Sequence, residues 1–274
     1  MKNSLLITLV GLGLCLLSIS CKSEFERIRT SGDPETILEK AHAYYEEEEY
    51  LKAQTLYELI VSSYRGRPEA EMIAYNYAYT YYNLGRYILA AYYFDNFAKT
   101  YGASQYQEEA EFMHAYSNYK LSPIYRLDQT YTLKAIEALE EFANQHPTSE
   151  RVSECNQLID EMRQKLELKD YEAANLYYDL QQYQSAIRSY ENLLIEFPDT
   201  KRAEEIRFRI IESAFLLAEN SFVERQEERY SDMVKRAEAF SSRYRGGDYI
   251  IEVQEMLCDA PKRLKQLQDV RYQK

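Results

Sequence analysis

The chain has 274 residues, of which 46% are hydrophobic, and it contains 28 tyrosines but no tryptophan. Its formal net charge is −12 and it shows no cluster of lysine and arginine, which argues against nucleic-acid binding, because nucleic-acid-binding domains carry a basic patch. The four cysteines lack the spacing of a zinc site, so we expect neither a metal nor a cofactor.

Residues 1–20 have the pattern of an export signal, in which Lys2 precedes an apolar stretch over residues 5–19. This stretch is short for a membrane span, which needs about 20 residues. The apolar stretch is followed by the small residue Ser20 and then by Cys21. A small residue directly before a cysteine at the end of an apolar stretch resembles the lipobox of bacterial lipoproteins. In that family the peptide is cut before the cysteine, which then takes lipid. An uncleaved anchor and ordinary secretion are the alternatives.

Residues 21–32 are polar and are expected to form a tether that reaches at most about 40 Å. Asp33 and Pro34 then favour the start of a helix, because Asp caps a helix well and Pro fits its first turn. The remaining residues, 33–272, are expected to form the folded part of the protein.

One amphipathic helix pattern recurs along residues 33–272. Within residues 183–198, apolar side chains are spaced three or four residues apart, which places them on one helix face: Tyr183, Ala186, Tyr190, Leu193 and Phe197. Further copies begin at Tyr50, Tyr87, Thr132 and Tyr230. Each copy follows another apolar helix. Five such helix pairs predict an all-α helical solenoid, in which each pair covers its neighbour.

The helix pairs define five repeats over approximately residues 34–67, 68–104, 105–148, 149–200 and 201–247, with a C-terminal capping helix over residues 248–272. Gly85 is placed for a helix C-cap. Residues 149–180 are expected to form one long helix or two short helices in line. Residues 221–228 are polar and are interpreted as a link before a helix over 229–244, and Pro261 predicts a kink in the capping helix.

The first two repeats resemble the tetratricopeptide pattern. Its small residues match Ala41, Ala53, Ala78 and Ala90, and its tyrosine matches Tyr44 and Tyr81. The family's Leu-Gly pair is missing from its usual place. The resemblance implies a right-handed solenoid whose first helices line the concave surface.

Taken together, the lipobox, the short tether, the five repeats and the segment 197–210 resemble the BamD-like outer-membrane assembly lipoproteins. The resemblance covers residues 15–270. It implies lipid attachment at Cys21, a location on the periplasmic face of the outer membrane, binding to the POTRA domains of a BamA-like β-barrel, and receipt of unfolded β-barrel precursors. It also points to the C-terminal repeats for the partner contact, with these candidates: Arg202, Arg207, Arg209 and Arg225.

Tyrosines follow the small residues of the first helices and are expected to project into the concave surface. The candidates for a peptide groove are Tyr45, Tyr75, Tyr79, Tyr82, Tyr116 and Tyr119. Tyrosine is large, rigid and amphipathic, which suits a wet peptide-binding groove. The alternative is that these rings only pack between helices. We expect Tyr79, Tyr82, Tyr116 and Tyr119 to be accessible to solvent, and burial of all four would remove the groove hypothesis.

An enzymatic function is not indicated, because the chain contains no nucleophile elbow, zinc-protease, P-loop or dinucleotide motif. The three histidines, His42, His114 and His146, lie in different repeats and are interpreted as structural. Cys155 and Cys258 are interpreted as buried or free thiols, although a disulfide between them stays open. The alternatives to the assembly scaffold are another periplasmic tetratricopeptide adaptor and a surface glycan-binding lipoprotein.

Overall fold

The computed structural model describes residues 23–272 and the side chains of residues 23–265. Within that range every regular element is a helix. The helices, in chain order, are α1 Glu24–Arg29, α2 Pro34–Glu46, α3 Tyr50–Ile60, α4 Glu69–Asn83, α5 Tyr87–Thr100, α6 Gln107–Leu121, α7 Thr130–Gln145, α8 Val152–Asp179, α9 Tyr183–Glu196, α10 Ala203–Glu219, α11 Val223–Arg243 and α12 Ile250–Tyr272. The predicted all-α class is confirmed.

The second helices bury the face that their spacing predicts. In all five copies the three middle positions are at most 2% exposed: Ala53, Tyr57 and Ile60; Ala90, Phe94 and Phe97; Ala135, Leu139 and Phe142; Ala186, Tyr190 and Leu193; Met233, Ala237 and Phe240. Burying a large apolar side chain stabilises a fold by about 1.5–3 kcal/mol. These stripes therefore hold each helix against its neighbours.

The small residues of the tetratricopeptide pattern lie in the interior of the fold. Ala41, Ala53, Ala78 and Ala90 are all fully buried. A larger side chain at any of them would have to push two helices apart, which typically costs 1–3 kcal/mol of stability. Helix pairing in the first two repeats thus depends on these alanines.

The described chain groups into two compact units. The first unit contains the residues up to Ser122 together with Thr130–Ile159, and in it each helix from α1 to α7 packs on the next. The second unit contains Pro123–Gln129 and the residues from Asp160 onwards, and in it α9 to α12 pack in sequence. Lys169 of α8 holds the segment Pro123–Gln129 by donating to the carbonyl oxygens of Tyr125 and Leu127, at 3.1 and 2.8 Å.

Two helices have other bounds than the sequence indicates. Within residues 149–180 the chain forms the single helix α8, which spans only Val152–Asp179, so the one-helix alternative is correct. Helix α11 begins at Val223, so the polar link expected over residues 221–228 is wrong. Glu, Arg and Gln are good helix formers, and Gln226 donates to the carbonyl oxygens of Glu219 and Ser221 at the end of α10. Helix α12 continues through Pro261.

Helix α1 lies inside the segment expected to be a tether. Ser23 accepts a hydrogen bond from the backbone N–H of Glu26 as its N-cap, and Ile28 is only 5% exposed. The Phe25 ring meets the Tyr44 ring of α2 edge to face at 5.9 Å. The chain is therefore folded against the first repeat from residue 24 onwards. No helix among the described residues combines the length and apolar character that a bilayer crossing requires.

The first helices α2, α4 and α8 end in the same turn. Gly85 has a φ of 70° after α4, as its predicted C-cap role requires, and its N–H donates to the Tyr82 carbonyl while the N–H of Arg86 donates to the Tyr81 carbonyl, both at 2.9 Å. Glu48 and Gln181 occupy the equivalent position after α2 and α8, each with a φ of 59°. This turn directs each second helix back along its first helix.

Candidate functional site

Tyrosines of α4 and α6 form a continuous row of ring contacts in the first unit. We call the residues Tyr75, Tyr79, Tyr82, Tyr116 and Tyr119 the tyrosine row. Consecutive ring centroids lie 5.0, 6.5, 6.2 and 5.5 Å apart. All five side chains are half-buried. Burial of all four tyrosines that were expected to be accessible would have removed the groove hypothesis. None of the four is fully buried, so the hypothesis stands as a proposal.

The row extends further than the sequence indicated. Tyr106, which precedes α6, stacks on Tyr75 at 4.6 Å, and Phe112 stacks on Tyr116 at 5.6 Å. Sequence reasoning missed Tyr106 because it lies in a turn and not at a counted helix position. Tyr45 contacts rings of its own repeat, with centroids 5.8 Å from Tyr50 and 6.5 Å from Tyr57.

A carboxylate bonded to the row is held by an arginine. Tyr79 donates its hydroxyl to Glu109 at 2.8 Å, and Arg151 donates to the same carboxylate at 2.5 Å. The Arg151 guanidinium also lies 4.1 Å over the Phe112 ring. The charge of Glu109 is thus offset by Arg151.

The hydroxyls of Tyr75, Tyr79 and Tyr82 in α4 keep their protons at neutral pH, because burial raises the pKa of each. Burial raises the pKa of Tyr79 far above its usual range, and hydrogen bonds with Tyr75 and Glu109 add to the shift. Burial raises the pKa of Tyr82 to about 12. A neutral phenol offers a ring face for apolar side chains and a hydroxyl that can donate or accept. This surface suits a peptide with aromatic or apolar side chains better than a charged ligand.

The four candidate arginines of the C-terminal repeats do not form one patch. The Arg202 guanidinium lies 4.7 Å over the Tyr171 ring and that of Arg209 lies 5.3 Å over the Tyr178 ring, both rings belonging to α8. Arg209 also pairs with Glu212 at 2.8 Å.

Arg207 and Arg225 instead line clefts between α9 and α11. Sequence spacing could have revealed this division. Positions 202 and 209 are two turns apart and share a helix face, whereas position 207 is rotated from 202 by about 140°. The candidate interface is therefore two separate surfaces.

The histidines make structural contacts. His42 Nδ1 lies 3.0 Å from the Tyr57 hydroxyl, and His114 Nδ1 lies 2.9 Å from the Ala91 carbonyl oxygen. His146 pairs with Glu111. Among the described residues, no group of three or more histidine, cysteine or acidic side chains could hold a metal ion.

The remaining predicted site residues are cysteines. Cys155 and Cys258 are both free thiols, Cys155 buried and Cys258 exposed. Burial raises the pKa of Cys155 to about 11, so it stays protonated at neutral pH. The lipid attachment predicted at Cys21 lies outside the described residues.

Comparison with known proteins places these features in a family. The family model of YfiO, described as outer membrane lipoprotein, matches residues 30–229. A relative from Aquifex aeolicus (strain VF5), named "Putative outer membrane protein assembly factor BamD", is 27% identical over 235 residues, which cover 85% of this chain and 75% of the relative. A solved structure of yeast Sti1, the TPR2AB domain in complex with pHSP90, aligns with 83% of this chain and 98% of its own at a TM-score of 0.40 and 14% identity. Because the family model matches most of the chain, the protein belongs to the YfiO family of outer membrane lipoproteins.

Proposed function

We propose that this protein is a non-enzymatic scaffold of outer-membrane protein assembly, anchored by lipid on Cys21 at the periplasmic face. The observation that carries the proposal is membership of the YfiO family, supported by the similarity to a relative named as a BamD assembly factor. The C-terminal repeats contact the POTRA domains of a BamA-like β-barrel, with Arg202, Arg207, Arg209 and Arg225 as the candidate residues.

The tyrosine row receives unfolded β-barrel precursors in this proposal. A barrel strand alternates apolar and polar side chains, so one of its faces presents an apolar side chain at every second residue. Half-buried tyrosines in continuous contact offer aromatic surface to such side chains, and a tyrosine hydroxyl can bond to the backbone of an extended chain. The row thereby accepts many sequences that share this alternation.

Partner identity is tested by affinity purification of the tagged protein from its native membranes. Recovery of a BamA-like barrel supports the proposal. Recovery of only glycan-uptake proteins, or of only cell-division proteins, overturns it and favours the corresponding alternative.

Precursor binding is tested by fluorescence anisotropy with a labelled peptide that alternates aromatic and polar residues, beside a scrambled peptide of equal composition. We expect Tyr116→Ala with Tyr119→Ala to weaken binding of the alternating peptide about 5-fold or more, since each aromatic contact contributes about 0.5–1.5 kcal/mol. The matched control is Tyr92→Ala, which removes a tyrosine that is 60% exposed on the second helix α5. Equal affinity of the double variant and the wild type, with helix content unchanged by circular dichroism, would exclude the row as the precursor site.

A further inference from the structure

A cleft with an apolar floor and a basic rim lies between α9 and α11 of the second unit, with α10 beneath it. Its volume is about 360 Å³. Ile210, Ile211 and Phe240 form the buried floor, together with the half-buried Leu194. We call these four residues and their rim the apolar cleft. Such a floor can accept a bulky apolar side chain, because enclosing one removes apolar surface from water on both sides.

The rim of the apolar cleft carries three arginines, and one of them is already paired. Arg236 donates to Glu191 of α9 at 2.5 Å and to Asp232 at 2.7 Å. This pairing crosses from α11 to α9 and separates the apolar cleft from a second cleft nearer the starts of both helices, since Glu191 and Arg236 line both. The Arg236 charge is therefore neutralised by carboxylates of the protein itself.

The other two arginines of the rim keep their charge available. Among the described side chains, no carboxylate lies within ion-pairing distance of Arg207 or Arg243. Arg243 lies in the last turn of α11, where a cation is favourable, and its guanidinium is 5.6 Å over the Tyr244 ring. Neither the helix end nor the Tyr244 ring carries a full negative charge that would neutralise the Arg243 guanidinium. Two uncompensated cations thus border an apolar floor in a chain whose net charge is −12.

We propose that the apolar cleft binds a segment of a partner protein in which one bulky apolar residue is flanked by carboxylates. The apolar side chain occupies the floor, while carboxylates pair with Arg207 and Arg243, whose planar guanidinium groups can hold a carboxylate through two hydrogen bonds. The inference rests on the proposed partner contact of the C-terminal repeats and names the chemistry of the segment that Arg207 recognises.

A peptide segment fits this site better than an anionic membrane. Glu191 lines the apolar cleft, and the cleft beside it is lined by Glu228 and Asp232 together with Arg188, Arg225 and Arg229. A continuous anionic surface laid across both clefts would meet these carboxylates as well as the arginines. A peptide can place isolated carboxylates at the two free arginines and leave neutral residues elsewhere.

The test is fluorescence anisotropy on the full chain in detergent with three labelled peptides. The first has one central Phe flanked by Asp and Glu, the second has Lys in place of each acid, and the third has Ser in place of Phe. We expect only the first to bind, and its affinity to fall as NaCl rises from about 50 to about 500 mM, because ion pairs at a rim are screened.

Variants locate the binding. Arg207→Glu with Arg243→Glu is expected to weaken the acidic peptide at least about tenfold, since a hydrogen bond to a charged group contributes about 1.5–3 kcal/mol. The control is Arg65→Glu with Arg163→Glu, two exposed arginines outside the cleft whose replacement changes the net charge equally. Ala239→Trp lines the cleft with a larger side chain and is expected to block the peptide while leaving both arginines in place.

Three results would overturn the inference. The acidic and basic peptides could bind equally, or the Arg207 and Arg243 double variant could bind the acidic peptide as the wild type does. In a separate sedimentation assay without detergent, phosphatidylglycerol vesicles could bind the wild type and not the double variant while the peptide binds neither. Each is distinguishable from failure of the proposed function, because barrel recovery from native membranes is measured separately. If the BamA-like barrel is recovered equally well with the Arg207 and Arg243 double variant and with the wild type, the scaffold proposal stands, but the apolar cleft is not the partner contact.

Discussion

Replacing Gln181 with glycine should stabilise the protein, because this residue holds a left-handed backbone after α8. Its φ is 59°, and the N–H groups of Gln181 and Gln182 donate to the carbonyls of Tyr178 and Tyr177 at 2.9 Å. For a residue with a Cβ, this conformation lowers the stability of the folded state by about 1–2 kcal/mol. Glycine avoids this strain but loses about 0.5–1 kcal/mol through the greater chain entropy of the unfolded state. The expected net gain for Gln181→Gly is therefore about 0.5–1 kcal/mol.

The equivalent turns supply the internal checks. Gly85 already fills this position after α4, and a Cβ added there would meet no atom within 4 Å. Gly85→Gln should therefore lower stability by a similar amount through backbone strain alone. Glu48→Gly repeats the gain in the first repeat, since Glu48 has the same φ.

The assay is urea unfolding followed by circular dichroism, together with the Tm. For a chain of this size, a change of 1 kcal/mol corresponds to a shift of roughly 2–4 °C. The matched control is Gln181→Ala, which removes the side chain but keeps the Cβ and should give no gain. The reasoning is refuted if Gln181→Ala stabilises as much as Gln181→Gly, or if Gln181→Gly lowers the midpoint.

Three further changes have expected outcomes. Burial lowers the pKa of His42, so the unfolded chain binds a proton at a higher pH than the folded chain does, and stability is lost as pH falls below about 6.5. His42→Asn should reduce the difference between the urea midpoints at pH 7.5 and pH 5.5, and an unchanged difference would contradict this reasoning. The Thr200 hydroxyl donates to Glu167 at 2.6 Å and accepts from the backbone N–H of Arg202. Thr200→Val should therefore lower the free energy of unfolding by about 1–2 kcal/mol, whereas Thr200→Ser should keep it. Equal losses in both variants would indicate that packing of the methyl group, and not the hydroxyl, is responsible. Cys21→Ser should move the protein from membranes to the soluble fraction and abolish labelling by radioactive palmitate, and persistent labelling would reject Cys21 as the lipid site.

The repeated helix faces could be predicted because burial imposes one spacing on every second helix. Tyr57, Phe94 and Tyr190 occupy the same position of that spacing and are all fully buried. The start of α11 could not be predicted in this way, since its first turns are polar and carry no buried stripe. Local helix propensity and the hydrogen bonds of Gln226 decide that boundary instead.

The candidate site was only partly accessible to sequence reasoning. Helix periodicity places Tyr75, Tyr79 and Tyr82 near one face of α4, but their contact with α6 depends on how two helices pack, which spacing within one helix does not contain. Tyr106 joins the row from a turn, where periodicity gives no information. The separation of Arg207 from Arg202 and Arg209 could have been found from spacing alone, since it follows from the 100° that each residue turns around a helix.

Helix α1 sets how far the folded chain stands from the bilayer if Cys21 carries the lipid. Only Lys22 separates Cys21 from the N-cap Ser23, so the linkage reaches about 10 Å, a quarter of the span that an unfolded segment to residue 32 would allow. The Phe25 and Ile28 contacts fix this short linkage to the first repeat. If Cys21 carries the lipid, the start of the first repeat therefore lies within about 10 Å of the anchor, and a partner of this repeat must reach it close to the membrane surface.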